Sequence, residues 1–173
     1  MTPSKYDGFH EPSSNQATYN AGTVMTVGGQ TNINNQVGVL DEVYELNLKN
    51  RSWRKIPVAG CAPPHLCEHT SVTFGNRMII FGGTTMEMLP ADGTYLHFLE
   101  ARRAKSNNHH GGGGRSRAYE WSMRALEPAP PARARHTAVA SSPDTMTIFG
   151  GVGYEGNILG DLWMLHEVHS EEP

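Results

Sequence analysis

The chain has 173 residues, enough for one domain with a sizeable core. A formal net charge of −3 and a pI near 6.3 give no overall basis for binding nucleic acid or an acidic membrane. With 19 glycines, 11 prolines and only 18% charged residues, the composition suits many short strands and tight turns and argues against a helical bundle.

In chain order, residues 1–14 read as an N-terminal tail without the apolar core of a signal peptide. Residues 15–60 form a first unit, with strands predicted at 16–20, 23–28, 42–48 and 52–57. Its second strand ends in Val24-Met25-Thr26-Val27-Gly28-Gly29, its third opens with Asp41-Glu42-Val43-Tyr44, and its fourth holds Trp53. Residues 61–128 repeat the pattern, with strands at 70–75, 77–82, 94–99 and 119–124. Here the marks are Met78-Ile79-Ile80-Phe81-Gly82-Gly83, Asp92-Gly93-Thr94-Tyr95 and Trp121. Residues 129–168 give a third unit, with strands at 137–141, 145–150 and 161–166 and no fourth. It carries Met146-Thr147-Ile148-Phe149-Gly150-Gly151 and Asp161-Leu162-Trp163, and 169–173 are a C-terminal tail. Upstream, Pro63-Pro64 followed by His69-Thr70 recurs as Pro130-Pro131 followed by His136-Thr137, with Asn15 at the histidine position of the first unit.

Three Gly-Gly pairs, each after a hydrophobic run and before an aromatic-bearing strand, resemble the kelch repeat over roughly residues 15 to 168. The resemblance implies an all-β fold of four-stranded antiparallel blades, about three of them, in a β-propeller that is incomplete. Gly28, Gly29, Gly82, Gly83, Gly150 and Gly151 are then turn residues where chains approach closely. Tyr44, Trp53, Tyr95, Trp121 and Trp163 are the aromatics that fill space between blades. Closed propellers have four to eight blades, so this stretch is expected to belong to a longer chain or to complete a ring by self-association or with a partner, in preference to standing as an open array of about three repeats.

The resemblance also implies a protein-interaction module or scaffold, not an enzyme, that binds another protein through loops between strands. The loops at 30–40, 84–92 and 152–160 share one face, with Asn32, Asn34, Asn35, Gln36, Glu87, Tyr154, Glu155 and Asn157 as candidate partner contacts. Residues 101–118 form an insert between the third and fourth strands of the second unit, predicted to be disordered and to emerge on the opposite face. It carries Arg102, Arg103, Lys105, Arg115 and Arg117 and no acidic residue. It is either a basic contact for an acidic partner or a tolerated surface insertion.

Other chemistry is sparse. Cys61, His65, Cys67 and His69 are metal-ligand types, but their spacing fits no standard zinc site, so neither metal nor cofactor is expected. His109-His110 sit beside four glycines, and His166 and His169 among glutamates. Two cysteines argue against a disulfide framework and for a reducing setting, taken as cytoplasmic. The alternative function is a fragment of a copper oxidase resembling galactose oxidase. It would need Tyr, His and Cys to converge from several blades, whereas Tyr44, Tyr95 and Tyr154 each have a repeat or loop explanation.

Overall fold

The computed structural model describes residues 16–20, 22–33, 36–103 and 117–166. The fold is all-β, and its strands form three antiparallel blades. Blade 1 contains β1 (Gln16–Asn20), β2 (Thr23–Val27), β5 (Val43–Asn47) and β6 (Ser52–Lys55), in the order β1-β2-β5-β6. Between β2 and β5 the chain makes a separate hairpin of β3 (Gln30–Ile33) and β4 (Gln36–Val39). Blade 2 contains β8 (Thr70–Phe74), β9 (Arg77–Phe81), β10 (Tyr95–Arg103) and β11 (Arg117–Ala125). It gains a fifth, parallel edge strand, β7 (Val58–Gly60), which comes from the segment leaving blade 1 and pairs Gly60 with Trp121. Blade 3 contains β12 (Thr137–Ser142), β13 (Thr145–Phe149) and β14 (Leu162–Leu165), three strands among the described residues.

Strand alternation explains how the blades stack. On β9, Met78 and Ile80 point to one side and Ile79 and Phe81 to the other, and all four are buried. Met78 and Ile80, with Leu99, Tyr119 and Trp121, meet Met25, Val27 and Val43 of blade 1. Ile79 and Phe81, with Val72, Leu96 and Phe98, meet Met146, Ile148 and Leu165 of blade 3. Each such side chain contributes about 1.5–3 kcal/mol by leaving water, so two apolar layers hold the three sheets face to face. The first strand of blade 2, β8, touches its counterparts β1 and β12 on either side.

Three features depart from the sequence reading. The stretch 30–40, expected as a loop, is the β3–β4 hairpin. The segment 58–60, expected to link blades, is strand β7. The insert expected over 101–118 is shorter, because β10 and β11 continue in register through Ala101–Tyr119, Arg102–Ala118 and Arg103–Arg117. Tyr119 is buried in the layer against blade 1, and Arg102 pairs with Glu120 at 3.1 Å, so the ladder gains by extending. Residues 104–116, with Lys105 and Arg115, lie outside the described residues.

Candidate interaction face

The Gly-Gly turns organise one end of the blades. Gly82 and Gly83 have φ of +60° and +107°, and the other two pairs adopt nearly the same values. A Cβ on Gly82 would lie 2.4 Å from the Arg133 carbonyl oxygen, and one on Gly83 would lie 2.8 Å from that of Cys67. The first glycine admits the strand entering the next blade, and the second admits the strand entering its own. The Gly83 N–H donates to Arg133 O at 2.9 Å, as the Gly29 N–H does to Leu66 O at 2.8 Å. His69 and His136 occupy this crossing, both buried, and burial pushes each imidazole down to about 4, which keeps it neutral at physiological pH.

Ion pairs lock the same crossings. Arg133, fully buried, makes two 2.8 Å contacts to the carboxylate of Asp161 and donates to Gly150 O at 2.9 Å. Trp163 Nε1–H donates at 2.6 Å to Asp161 Oδ2, the oxygen that also accepts from Arg133 Nη2, and the Asp161 carboxyl is held well below the usual range, mainly by the Arg133 hydrogen bonds. Glu68 and Arg135, which precede the two repeat histidines, pair at 2.9 Å across the blade boundary, and Glu68 also accepts from Thr84.

From this rigid base the loops after each Gly-Gly pair project outward. Short backbone bonds close them: Leu40 N–H to Gly29 O, Ala91 N–H to Gly83 O, and Leu159 N–H to Gly151 O. Their tips expose large apolar side chains: Val37, Met86, Met88 (61%), Leu89, Tyr154 and Ile158 (76%). At the opposite end, the turns at 48–51, 75–76 and 142–144 expose one comparable residue, Leu48, among the described residues.

The predicted contacts distribute unevenly over this end. Asn32, Glu87, Tyr154, Glu155 and Asn157 are exposed on it. Gln36 begins β4, and Asn34 and Asn35 lie outside the described residues. Met86, Met88, Leu89 and Ile158 were not picked out by sequence reasoning, since apolar residues near strands read as core. The signal available was their position inside Gly- and Pro-bounded loops.

Among the predicted repeat aromatics, Trp53 and Trp121 share one register, opposite Leu46 and Leu99. Tyr44 and Trp163 also correspond, opposite Thr26 and Ile148. Tyr95 does not share that place: His97 pairs with Ile80 there, and Tyr95 sits two residues earlier, 38% exposed. Tyr44 donates to Glu42 at 3.2 Å. The four metal-type residues face different surroundings. Cys61 is exposed, His65 Nδ1 lies 2.9 Å from Val39 O, Cys67 is buried with its thiol directed at Thr84 O, and His69 lies in the Gly-Gly crossing. Among the described residues no three His, Cys, Asp or Glu side chains are grouped to hold a metal.

No family model matches the chain. Putative adagio-like protein 2 of Oryza sativa subsp. japonica is 30% identical over 122 residues, covering 70% of this chain and 16% of that protein. Adagio-like protein 3 of the same organism is 29% identical over 126 residues, covering 73% and 17%. Kelch domain-containing protein 1 of Mus musculus is 25% identical over 127 residues, covering 72% and 27%. The chain is similar to these proteins over about seven tenths of its own length. It spans about a sixth of the rice proteins' length, and the likeness to a kelch-domain protein agrees with the three Gly-Gly blades. No helix among the described residues is long and apolar enough to cross a membrane.

Proposed function

We propose that this chain is a protein-recognition module, a scaffold and not a catalyst, whose partner docks on the loops at the Gly-Gly end. The observation that carries the reading is the exposure of Val37, Met86, Met88, Leu89, Tyr154 and Ile158 on loops anchored to rigid strands. Exposed apolar side chains grouped at one end of a domain mark contact surfaces, and methionine in particular adapts to varied partners. The two free thiols, Cys61 and Cys67, suit a reducing cytoplasmic setting. The test compares proteins captured by the wild-type chain and by a Met88→Ser/Ile158→Ser variant, with Leu48→Ser at the opposite end as control. Partners lost with the loop variant and retained by the control support the reading; an unchanged set overturns it.

A second reading concerns blade 3 and is favoured by register. Val72, Phe81, Leu96 and Phe98 of blade 2 are buried under blade 3, while their counterparts Val139, Phe149, Leu162 and Met164 are all more than half exposed. Blade 1 presents half-buried Val24, Leu46 and Trp53 where blade 2 offers Met78, Leu99 and Trp121 to its neighbour. A second copy seated head to tail would cover both faces, and two sets of three blades fall within the range of closed propellers. Sedimentation should give the mass of two 19.0 kDa chains, reduced to one by Leu162→Arg. A single-chain mass at every concentration would exclude it.

A further inference from the structure

The loops at the Gly-Gly end carry one sign of charge as well as apolar tips. Residues 30–42, 84–94 and 152–161 include Asp41, Glu42, Glu87, Asp92, Glu155 and Asp161 and not one Lys or Arg. Basic side chains that reach this end from adjoining segments are already engaged. Lys55 is paired with Glu42, Arg133 with Asp161 and Arg135 with Glu68, while Arg124 lies over the Phe98 ring. Asp41, Glu87, Asp92 and Glu155 make no salt bridge with Lys or Arg among the described residues, and all four are exposed. Asp41 lies 3.6 Å from the His65 ring and also acts electrostatically on Lys55, and Asp92 accepts the Thr94 N–H. At the other end the exposed charges are mixed: Lys49, Arg51 and Arg102, the last paired with Glu120, alongside exposed Asp144. The loop end is thus acidic on balance, whereas the described residues of the other end carry both signs.

We infer that the loop end binds a cationic amphipathic segment of a partner, one that sets Lys or Arg side chains among large aliphatic or aromatic ones. The inference rests on the recognition reading and adds the partner's chemistry. The apolar tips Met86, Met88, Leu89 and Ile158 supply desolvated contact area, and the acidic side chains beside them steer and orient a basic partner. An acidic segment would meet carboxylates with no unpaired Lys or Arg beside them among the described residues, and a purely apolar one would leave them desolvated and unpaired.

The experiment uses the full chain and three fluorescent peptides of equal length, titrated by anisotropy at low and physiological salt. One alternates leucine-rich and lysine-rich turns, one replaces its leucines by serine, and one replaces its lysines by glutamate. The Leu/Lys peptide should bind, with both substituted peptides weaker by at least about tenfold. Met88→Ser/Ile158→Ser and Glu87→Lys/Glu155→Lys should each weaken it by about tenfold, and only the charge variant should flatten its salt dependence. Lys49→Ser/Arg51→Ser at the far end should change nothing. Equal binding of the Leu/Glu peptide, or unchanged binding by both loop variants, would overturn the inference. If captured partners are lost with Met88→Ser/Ile158→Ser while the Leu/Lys peptide fails to bind, the recognition reading stands and the cationic chemistry falls. If neither responds, both fall.

Discussion

The imidazole of His136 crosses from one blade to the next, its Nε2 2.7 Å from Thr70 Oγ1, and a Cβ on Gly82 would lie 2.7 Å from its Cε1. The ring belongs to the third repeat, but its space and its partner belong to the second. It can hold this place only while neutral, because a charged ring there would be desolvated beside Arg133.

That requirement makes folding sensitive to pH in a defined window. His69 and His136 fall from 6.5 in the unfolded chain to about 4 in the fold. The unfolded chain therefore binds more protons below pH 6.5, and stability is complete above that value and declines as pH falls toward 4. At about pH 5 the loss should be on the order of 2 kcal/mol per histidine. Asp161 and Glu68, whose pKa values are lowered by their arginine partners, add their loss only at more acidic pH. Urea midpoints measured between about pH 7.5 and 5 should drop in the wild type and drop less in His136→Gln. A flat wild-type profile would remove the argument.

Gly82 should tolerate no side chain. Gly82→Ala combines a left-handed backbone with contact on the Arg133 carbonyl, and should cost about 2–4 kcal/mol. Gly75 has a similar φ of +59° but open space around it, so Gly75→Ala should cost only about 1 kcal/mol. Thermal melts of the two variants separate close approach from backbone strain. Equal losses would mean the crossing is looser than the geometry requires.

Leu96 and Leu162 occupy the same place in successive blades but have 0% and 60% exposure. Leu96→Ala should cost about 2–5 kcal/mol, and Leu162→Ala about 0.5 kcal/mol or less where the chain sediments as a single copy. Denaturant unfolding reads both. A large cost at Leu162 under those conditions would show that its face is covered within one chain.

Arg133 stands three residues before His136, as Leu66 stands three before His69. Asp161→Asn strands a buried guanidinium and should destabilise by about 3 kcal/mol, whereas Arg133→Leu, which restores the residue of the neighbouring repeat, should cost less. Unfolding free energies of the two variants decide it. The reverse order would mean that Asp161, partly exposed, is the member that suffers from losing its partner.

Much of this was legible because a repeat shows the same physics three times. The Gly-Gly pairs located the tight crossings, and alternation such as Met78-Ile79-Ile80-Phe81 located a strand buried on both faces. Tyr95 misled, because spacing from Asp92 stands in for register only when the intervening loops match. The structural position lies 15 residues after Gly29 at Tyr44 and 14 after Gly83 at His97, but Tyr95 lies only 12 after Gly83, so the aligned Tyr fell two residues short. The apolar loop tips were hidden for a different reason. Whether Met88 or Ile158 is core or surface depends on which way a loop turns, and composition carries no sign of that. The ion pairs Glu68–Arg135 and Arg133–Asp161 join residues far apart in the chain, and nothing in local sequence pairs them.

The parallel pairing of Val58–Gly60 with Tyr119–Trp121 shifts the boundary of cooperative folding away from the boundary of the sequence repeat. The tail of one repeat closes the outer edge of the next, and Ile56, just before it, is buried in the layer between those blades. A fragment cut at 60/61, where the repeat divides, would leave the second sheet with a raw edge and a gap beside Trp121. One beginning before Ile56 carries its own latch. Duplication of such a unit propagates a sheet already fastened to its predecessor, so an array built this way grows by interlocking and not by mere stacking.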